Sequence, residues 1–229
     1  MQISLSSVER GVITNRNIHW AIRSLKEMVR EWREPAVTRV ARRRDPFKVL
    51  ISCLLSLRTK DEVTHEAASR LFARADTAQD LLVLSADEIA RIIYPVGFYQ
   101  TKAGYILGIC RNLLERYKGQ VPREMDELLT LPGVGRKTAN LVVTIGHGLP
   151  GICVDTHVHR ITNRWGYVET RTPHETEFAL RERLPGRYWI EFNDLLVTFG
   201  QNFCVPISPY CSRCRLGRSC ARNGVQRHR

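Results

Sequence analysis

The sequence predicts an all-α fold. Three observations carry that expectation. Apolar residues recur at three- and four-residue spacing in one segment after another, helix-start signals stand at the heads of several of those segments, and no alternating apolar and polar run persists long enough for a strand. With 229 residues, 43% of them hydrophobic, the chain can bury a real core in one large or two small domains. No run approaches the roughly 18 apolar residues of a membrane span, and no low-complexity tract or repeat occurs. A net charge of +12 points to a polyanionic partner, although charge alone also fits a ribosomal or membrane-surface protein.

Taken in order, Met1 to Asn17 is polar and unpatterned and reads as a loose arm. Ile18, Ile22, Leu25, Val29 and Trp32 then lie on one helical stripe, which is expected to stop near Pro35. Arg39, Arg42, Arg43 and Arg44 form the densest basic run, read equally well as a solvated face or a DNA-facing one. Asp45-Pro46 has the cap and first-turn proline of a helix start. Phe47 to Leu57 is almost wholly apolar, as a helix buried on all sides would be. A polar break from Ser56 to Asp61 precedes a helix carrying Val63, Ala67, Leu71 and Phe72. Ser85 and Glu88 make a capping box that opens a helix to about Tyr94. Gly97-Phe98-Tyr99 is a short turn, Lys102 to Tyr117 the next helix with Gly119 closing it, and Arg123 to Thr130 another.

The chain is organised around Leu131-Pro132-Gly133-Val134-Gly135-Arg136-Lys137-Thr138-Ala139. Pro132, Gly133 and Gly135 build a tight turn, and a helix begins at about Arg136, where Thr138, Ala139, Leu141, Val142 and Ile145 take up helical spacing. Glycines let backbone approach a ligand closely, and the unpaired N–H groups at a helix start face outward with the positive end of the helix dipole behind them. On a basic chain the expected anion there is a nucleic-acid phosphate. Gly133, Val134, Gly135 and Arg136 are the candidate contacts. Lys137 sits in the first turn, where the dipole disfavours its charged form and favours the free amine, a nucleophile toward sugar C1′ centres. Pairing with phosphate alone is the plainer role.

After Gly151, Ile152-Cys153-Val154 leads to Asp155, placed as the N-cap of a helix that runs to about Trp165 with Gly166 beyond it. Capping can be its whole task. Beside an activated amine, an acid has further uses in taking protons and stabilising positive charge on a sugar. Thr172-Pro173-His174-Glu175 opens another helix, and a last one is expected from about Tyr188 to Phe199. Cys204, Cys211, Cys214 and Cys220 then give C-x6-C-x2-C-x5-C, a four-thiolate set suited to zinc or to a [4Fe–4S] cluster. Arg213, Arg215, Arg218 and Arg222 lie in the same loop and would offset a cluster's negative charge or touch a DNA backbone. Cys53, Cys110 and Cys153 stand in apolar surroundings and read as core residues.

The Leu131–Ala139 stretch, Val154 to Arg160 and the terminal cysteines, in that order, resemble endonuclease III, the bifunctional branch of the helix-hairpin-helix DNA glycosylases. The likeness runs from about Arg30 to Cys220. It implies that Lys137 is the Schiff-base nucleophile, that Asp155 is the catalytic carboxylate, and that the four cysteines hold a structural [4Fe–4S] cluster. It implies two domains, a six-helix barrel bearing the hairpin motif at 40–150 and a cluster domain from 1–39 with 151–229, with the active site in the cleft between them. Relatives carry a gap-filling residue, commonly glutamine, in the break where this chain has Arg58, and a second, usually aliphatic wedge where it has Phe98. Phe98 reads as a wedge or as a buried loop anchor. His157 occupies a position that borders the base pocket in the family and is a candidate substrate contact or a local hydrogen-bonding residue.

The expected function is therefore excision of oxidised pyrimidines from duplex DNA with β-elimination 3′ to the abasic site, by a monomer without membrane association in a bacterial or archaeal cytoplasm. Monofunctional adenine or mismatch glycosylases share the fold and generally lack the hairpin lysine. A non-catalytic DNA-binding protein would need neither Lys137 nor Asp155.

Overall fold

The computed structural model describes residues 11–32 and 45–229, and every regular element among them is helical. The basic run Arg39 to Arg44, the expected stop near Pro35 and most of the N-terminal arm lie outside the described residues. The chain divides into two compact units, one of Met1–Arg33 with Ile152–Arg229 and the other of Glu34–Gly151.

The Glu34–Gly151 unit is built on α2 (Pro46–Ser56). Asp45 Oδ1 accepts from the amides of Phe47 (3.0 Å) and Lys48 (3.1 Å), and Pro46 fills the first turn, where an amide would have had no partner. Val49 to Leu55 are buried without a break, so α2 has no solvent face along its middle. The unit also holds α3 (Asp61–Arg74), α4 (Ala78–Leu82), α5 (Ala86–Ile93), α6 (Tyr99–Tyr117), α7 (Met125–Leu129) and α8 (Arg136–Leu141), of which α3, α6 and α8 pack on α2. The expected capping box is present, with the Ser85 amide donating to Glu88 (2.8 Å) and the Glu88 amide to Ser85 Oγ (3.2 Å).

Three departures from the sequence expectation have local causes. The short helix α4 was not expected; its signal is Thr77, whose hydroxyl accepts from the Asp80 amide at 3.1 Å. Helix α6 begins a turn earlier than Lys102, with Phe98 as its left-handed N-cap, and ends where Lys118 and Gly119 both take positive φ and the Gly119 amide reaches Leu113 O at 2.8 Å. Helix α8 runs on as a π-helix over Val142–Gly146, closed by a five-residue bond from the His147 amide to Val142 O (2.9 Å). Thr144 Oγ1 bonds Asn140 O within that turn at 2.7 Å, the back-bonding that loosens a helical ladder.

The other unit packs α1 (Ile18–Val29), α9 (Thr156–Arg164), α10 (Pro173–Arg183) and α11 (Trp189–Asn202) around one core. Ile18, Ile22 and Leu25 of α1 share one buried core with Val158 and Ile161 of α9 and Phe192, Leu196 and Phe199 of α11, and Trp165 meets Phe192 edge-on at 6.4 Å. Helix α1 ends at Val29, earlier than the stripe suggested, and Trp32 turns back to stack on Phe203 at 6.1 Å. The four C-terminal cysteines follow α11 directly. No described helix is long and apolar enough to cross a membrane.

Candidate active site and nucleic-acid interface

The hairpin turn between α7 and α8 rests on α6. Gly133 has φ +72, and its missing side chain is the space filled by Tyr105: a Cβ there would lie 2.5 Å from Tyr105 Cδ2 and 3.1 Å from Leu54 Cδ1. Pro132 packs on Gly108, one helical turn further along α6, where an added Cβ would be 3.1 Å from its ring. The two glycines of the turn thus differ. Gly135 is extended (φ −99, ψ 176), offers no capping side chain and has open space where a side chain would be. Gly133 shapes the turn, and Gly135 leaves the start of α8 uncovered.

Lys137 is exposed at the second position of α8 and Arg136, before it, is half-buried. Thr138, Ala139, Asn140 and Leu141 are buried directly after them, which fixes the helix from which Lys137 projects. Asp155 is buried, 8% exposed, and caps α9: its Oδ1 accepts from the amides of His157 (2.9 Å) and Val158 (3.0 Å). Both cap bonds fall on one oxygen of the carboxylate.

His157 sits half-buried in the same first turn. Its Nδ1 accepts from Arg160 Nη2 at 3.1 Å, which leaves the neutral ring's proton on Nε2. The ring fits a notch at Gly200 of α11, where any side chain would overlap Nδ1. Arg160 Nη2 also donates to Gly200 O (3.3 Å) and Cys204 O (2.9 Å), so one guanidinium joins the head of α9 to the start of the cysteine loop.

Arg58 and Phe98 lie in two loops of the Glu34–Gly151 unit. Both hold left-handed backbone, φ 54 and φ 58, a conformation that costs a non-glycine residue about 1–2 kcal/mol. The Arg58 guanidinium lies over the Phe98 ring at 5.5 Å from its centroid, and Phe98 is 61% exposed rather than buried as a loop anchor would be. Gly97 brings the loops together: its amide donates to Thr59 Oγ1 (3.2 Å), and a Cβ on it would stand 2.6 Å from Arg58 O.

Sequence reasoning missed the residue beneath these loops. Lys102 of α6 is 4% exposed, and its Nζ donates to Leu55 O (2.9 Å), Leu57 O (2.6 Å) and Thr59 Oγ1 (3.3 Å). The first two are carbonyls left over at the C-terminal end of α2, where a cation also complements the helix dipole. Burial lowers the Lys102 ammonium to about 8, so it remains mostly charged at neutral pH. The available signal was register: Lys102 falls on the apolar stripe of Ile106, Cys110 and Leu113.

Cys204, Cys211, Cys214 and Cys220 are unbridged and line one pocket with Trp165, Phe199, Phe203, Tyr210 and Leu216. Burial raises the Cys211 thiol, takes Cys214 to about 12 and Cys220 to about 11, with further upward pressure from the neighbouring thiols. A metal must therefore displace protons here. Among the described residues no group of three or more His, Cys, Asp or Glu could hold a metal ion as it stands. Arg164, 7% exposed and also missed, donates to Cys204 O and Sγ (3.4 Å each), Val205 O (2.8 Å) and Pro206 O (2.6 Å). Of the loop arginines, Arg213 stacks on Tyr210, Arg215 pairs with Glu27, and Arg222 bonds Gly217 O. Cys53, Cys110 and Cys153 are buried in the core.

Residues 51–186 match the family described as HhH-GPD superfamily base excision DNA repair protein. Endonuclease III of Thermotoga maritima is 48% identical over 176 residues, which are 77% of this chain and 83% of that protein. The chain belongs to the endonuclease III family. Solved endonuclease III structures share its fold. A non-covalent endonuclease III–DNA complex superposes with a TM-score of 0.81 at 33% identity, covering 91% of this chain and 96% of that one. A trapped endonuclease III–DNA covalent intermediate gives 0.79 at 32% identity over the same shares. The other endonuclease III-type relatives include the mouse endonuclease III-like protein 1, 47% identical, of which this chain spans a little over half the length, 57%.

Proposed function

We propose that this chain, a base excision repair glycosylase and AP lyase of the endonuclease III family, excises oxidised pyrimidines from duplex DNA through a Schiff base on Lys137. The damaged nucleotide leaves the helical stack, because C1′ is out of reach within it. Lys137 Nζ forms a bond to C1′ while the glycosidic bond breaks and its electron pair leaves with the base. Asp155 takes the proton released by the attacking amine and balances the positive charge on the sugar. Ring opening gives the Schiff base, which acidifies the 2′ proton; loss of that proton expels the 3′ phosphate. Gly133, Val134, Gly135 and Arg136 hold a backbone phosphate at the head of α8, over which Gly135 places no side chain. Arg58 and Phe98 enter the duplex, and His157 is a contact to the flipped base. DNA is the polyanion that the +12 charge suits.

The observation that carries this function is Lys137, exposed on the second residue of α8 directly after the hairpin turn, in a chain of this family. Phosphate binding alone does not require an amine at that place. The four cysteines are assigned to a [4Fe–4S] cluster: all four line one pocket walled by aromatic and apolar side chains, and four thiolates are the donor set such a cluster takes. When bound, the cluster supplies the cross-link that holds residues 204–220 together. Arg164 and Arg160 fix the loop's first carbonyls. A reducing, DNA-containing compartment such as a bacterial cytoplasm suits these thiols.

Borohydride trapping on duplex DNA with an abasic site tests the mechanism. A covalent adduct is expected with the unsubstituted protein and none with Lys137→Gln. An adduct formed equally by both, or by neither while both bind the DNA, would refute it.

A further inference from the structure

Arg58 and Phe98 are two of the three non-glycine residues with positive φ among the described residues of the Glu34–Gly151 unit; unlike the third, Lys118 at the end of α6, they lie on different loops and stack on each other. Outliers of this kind persist only where the surroundings over-determine them. What determines these two is a small polar assembly. Thr59 Oγ1 is its centre, accepting from the Gly97 amide on one loop while Lys102 Nζ reaches it from beneath. The same Nζ binds Leu55 O and Leu57 O, the last carbonyls of α2 before Arg58. Phe98 is the N-cap of α6, the helix that carries Lys102 one turn later. One ammonium therefore joins both loops to a single helix.

A lysine is a costly choice for a buried stripe. An apolar residue would pack against Ile106 without loss of hydration but would take the ammonium from Leu55 O and leave Leu57 O with the Thr59 hydroxyl alone. A glutamine could serve one or two of them. Only an ammonium presents three donors around one point, and three acceptors are what stand there. Helix α6 further supports the hairpin turn through Tyr105 and Gly108, so the loops that Lys102 holds and the phosphate-facing turn share one rigid frame.

We propose that Lys102 is a positioning residue for strand penetration: it holds Arg58 and Phe98 as one stacked pair, which fills the place an extruded nucleotide leaves. This rests on the glycosylase function proposed above. Lys102 touches no DNA in this role and acts only through the pair. Its removal matters as long as Arg58 is there to be positioned.

A double-mutant cycle measures that dependence. Single-turnover excision of thymine glycol, placed opposite guanine or adenine in a duplex, is followed for the full-length protein, Lys102→Met, Arg58→Ala and the double variant. Lys102→Met is expected to slow excision about tenfold when Arg58 is present and less than about twofold in the Arg58→Ala background. The ratio of rates opposite the two bases, which contacts of Arg58 set, is expected to flatten in Lys102→Met. A loss of the same factor in both backgrounds would mean general damage to the fold and would overturn the proposal while leaving the glycosylase function intact. No excision and no borohydride adduct with the unsubstituted protein would overturn both. Should Lys102→Met fail to fold, as circular dichroism would reveal, Thr59→Val replaces it in the same cycle. It removes the central acceptor without unburying a charge, and the same two outcomes decide.

Discussion

Replacing Gly133 with alanine isolates what the hairpin turn owes to backbone shape. At φ +72 an alanine costs about 1–2 kcal/mol relative to glycine, since its Cβ crowds its own carbonyl. The new methyl would also stand 2.5 Å from Tyr105 Cδ2 and 3.1 Å from Leu54 Cδ1, and displacing a ring and a core leucine adds about 1–3 kcal/mol. The sum is about 2–5 kcal/mol, which for a unit of this size lowers the melting temperature by roughly 10–20 °C. Gly135→Ala is the control. Its backbone is extended and its Cβ meets nothing within 4 Å, so melting should be unchanged within about 0.5 kcal/mol. The methyl would instead add bulk at the proposed phosphate contact and weaken duplex binding. Thermal melting by circular dichroism and fluorescence anisotropy on a duplex separate the two effects. Tyr105→Ala combined with Gly133→Ala should recover the steric part of the loss and leave the backbone part. The reasoning fails if Gly133→Ala melts within about 2 °C of the parent, or if Gly135→Ala binds DNA as tightly as the parent.

Three further outcomes are expected. Asp155→Asn keeps a good cap and should melt within about 0.5 kcal/mol of the parent while losing excision, whereas Asp155→Ala should lose the excision and a further 0.5–2 kcal/mol or so of stability; equal melting of the two variants contradicts the cap. Lys102 is lowered by burial from 10.5 to about 8, so between those values the unfolded chain binds a proton that the native state has released, and stability rises with pH; the melting temperature of the parent minus that of Lys102→Met should increase from pH 8 to 10, and a flat difference refutes this. Arg164→Met strips the donors from Val205 O and Pro206 O at about 1–3 kcal/mol each, while Cys204 O keeps Arg160; purified variant should carry less iron and less visible absorbance, and full loading would argue against Arg164 as the loop's anchor.

The helices were legible because their signals are local. Asp45-Pro46, the Ser85–Glu88 box and Thr172-Pro173 each act within one turn, and each caps a helix in the structure. The boundaries that slipped depend on partners elsewhere. Helix α1 stops before Trp32 because that ring finds Phe203, and α8 widens into a π-helix at Thr144 through a bond no periodicity reveals. The same division runs through the site. Lys137 and Asp155 could be singled out because a hairpin turn and an N-cap mark them in sequence. Lys102 and Arg164 could not be assigned roles, because what they hold, the end of α2 and the start of the cysteine loop, is far from them along the chain.

The notch at Gly200 bears on how the head of α9 is held. The first turn of α9 is fastened twice, its amides by Asp155 and the His157 ring by a gap on α11 that only a glycine leaves open. A single methyl at Gly200 would therefore act as a shim between α11 and the His157 ring, which a missing atom now lets in.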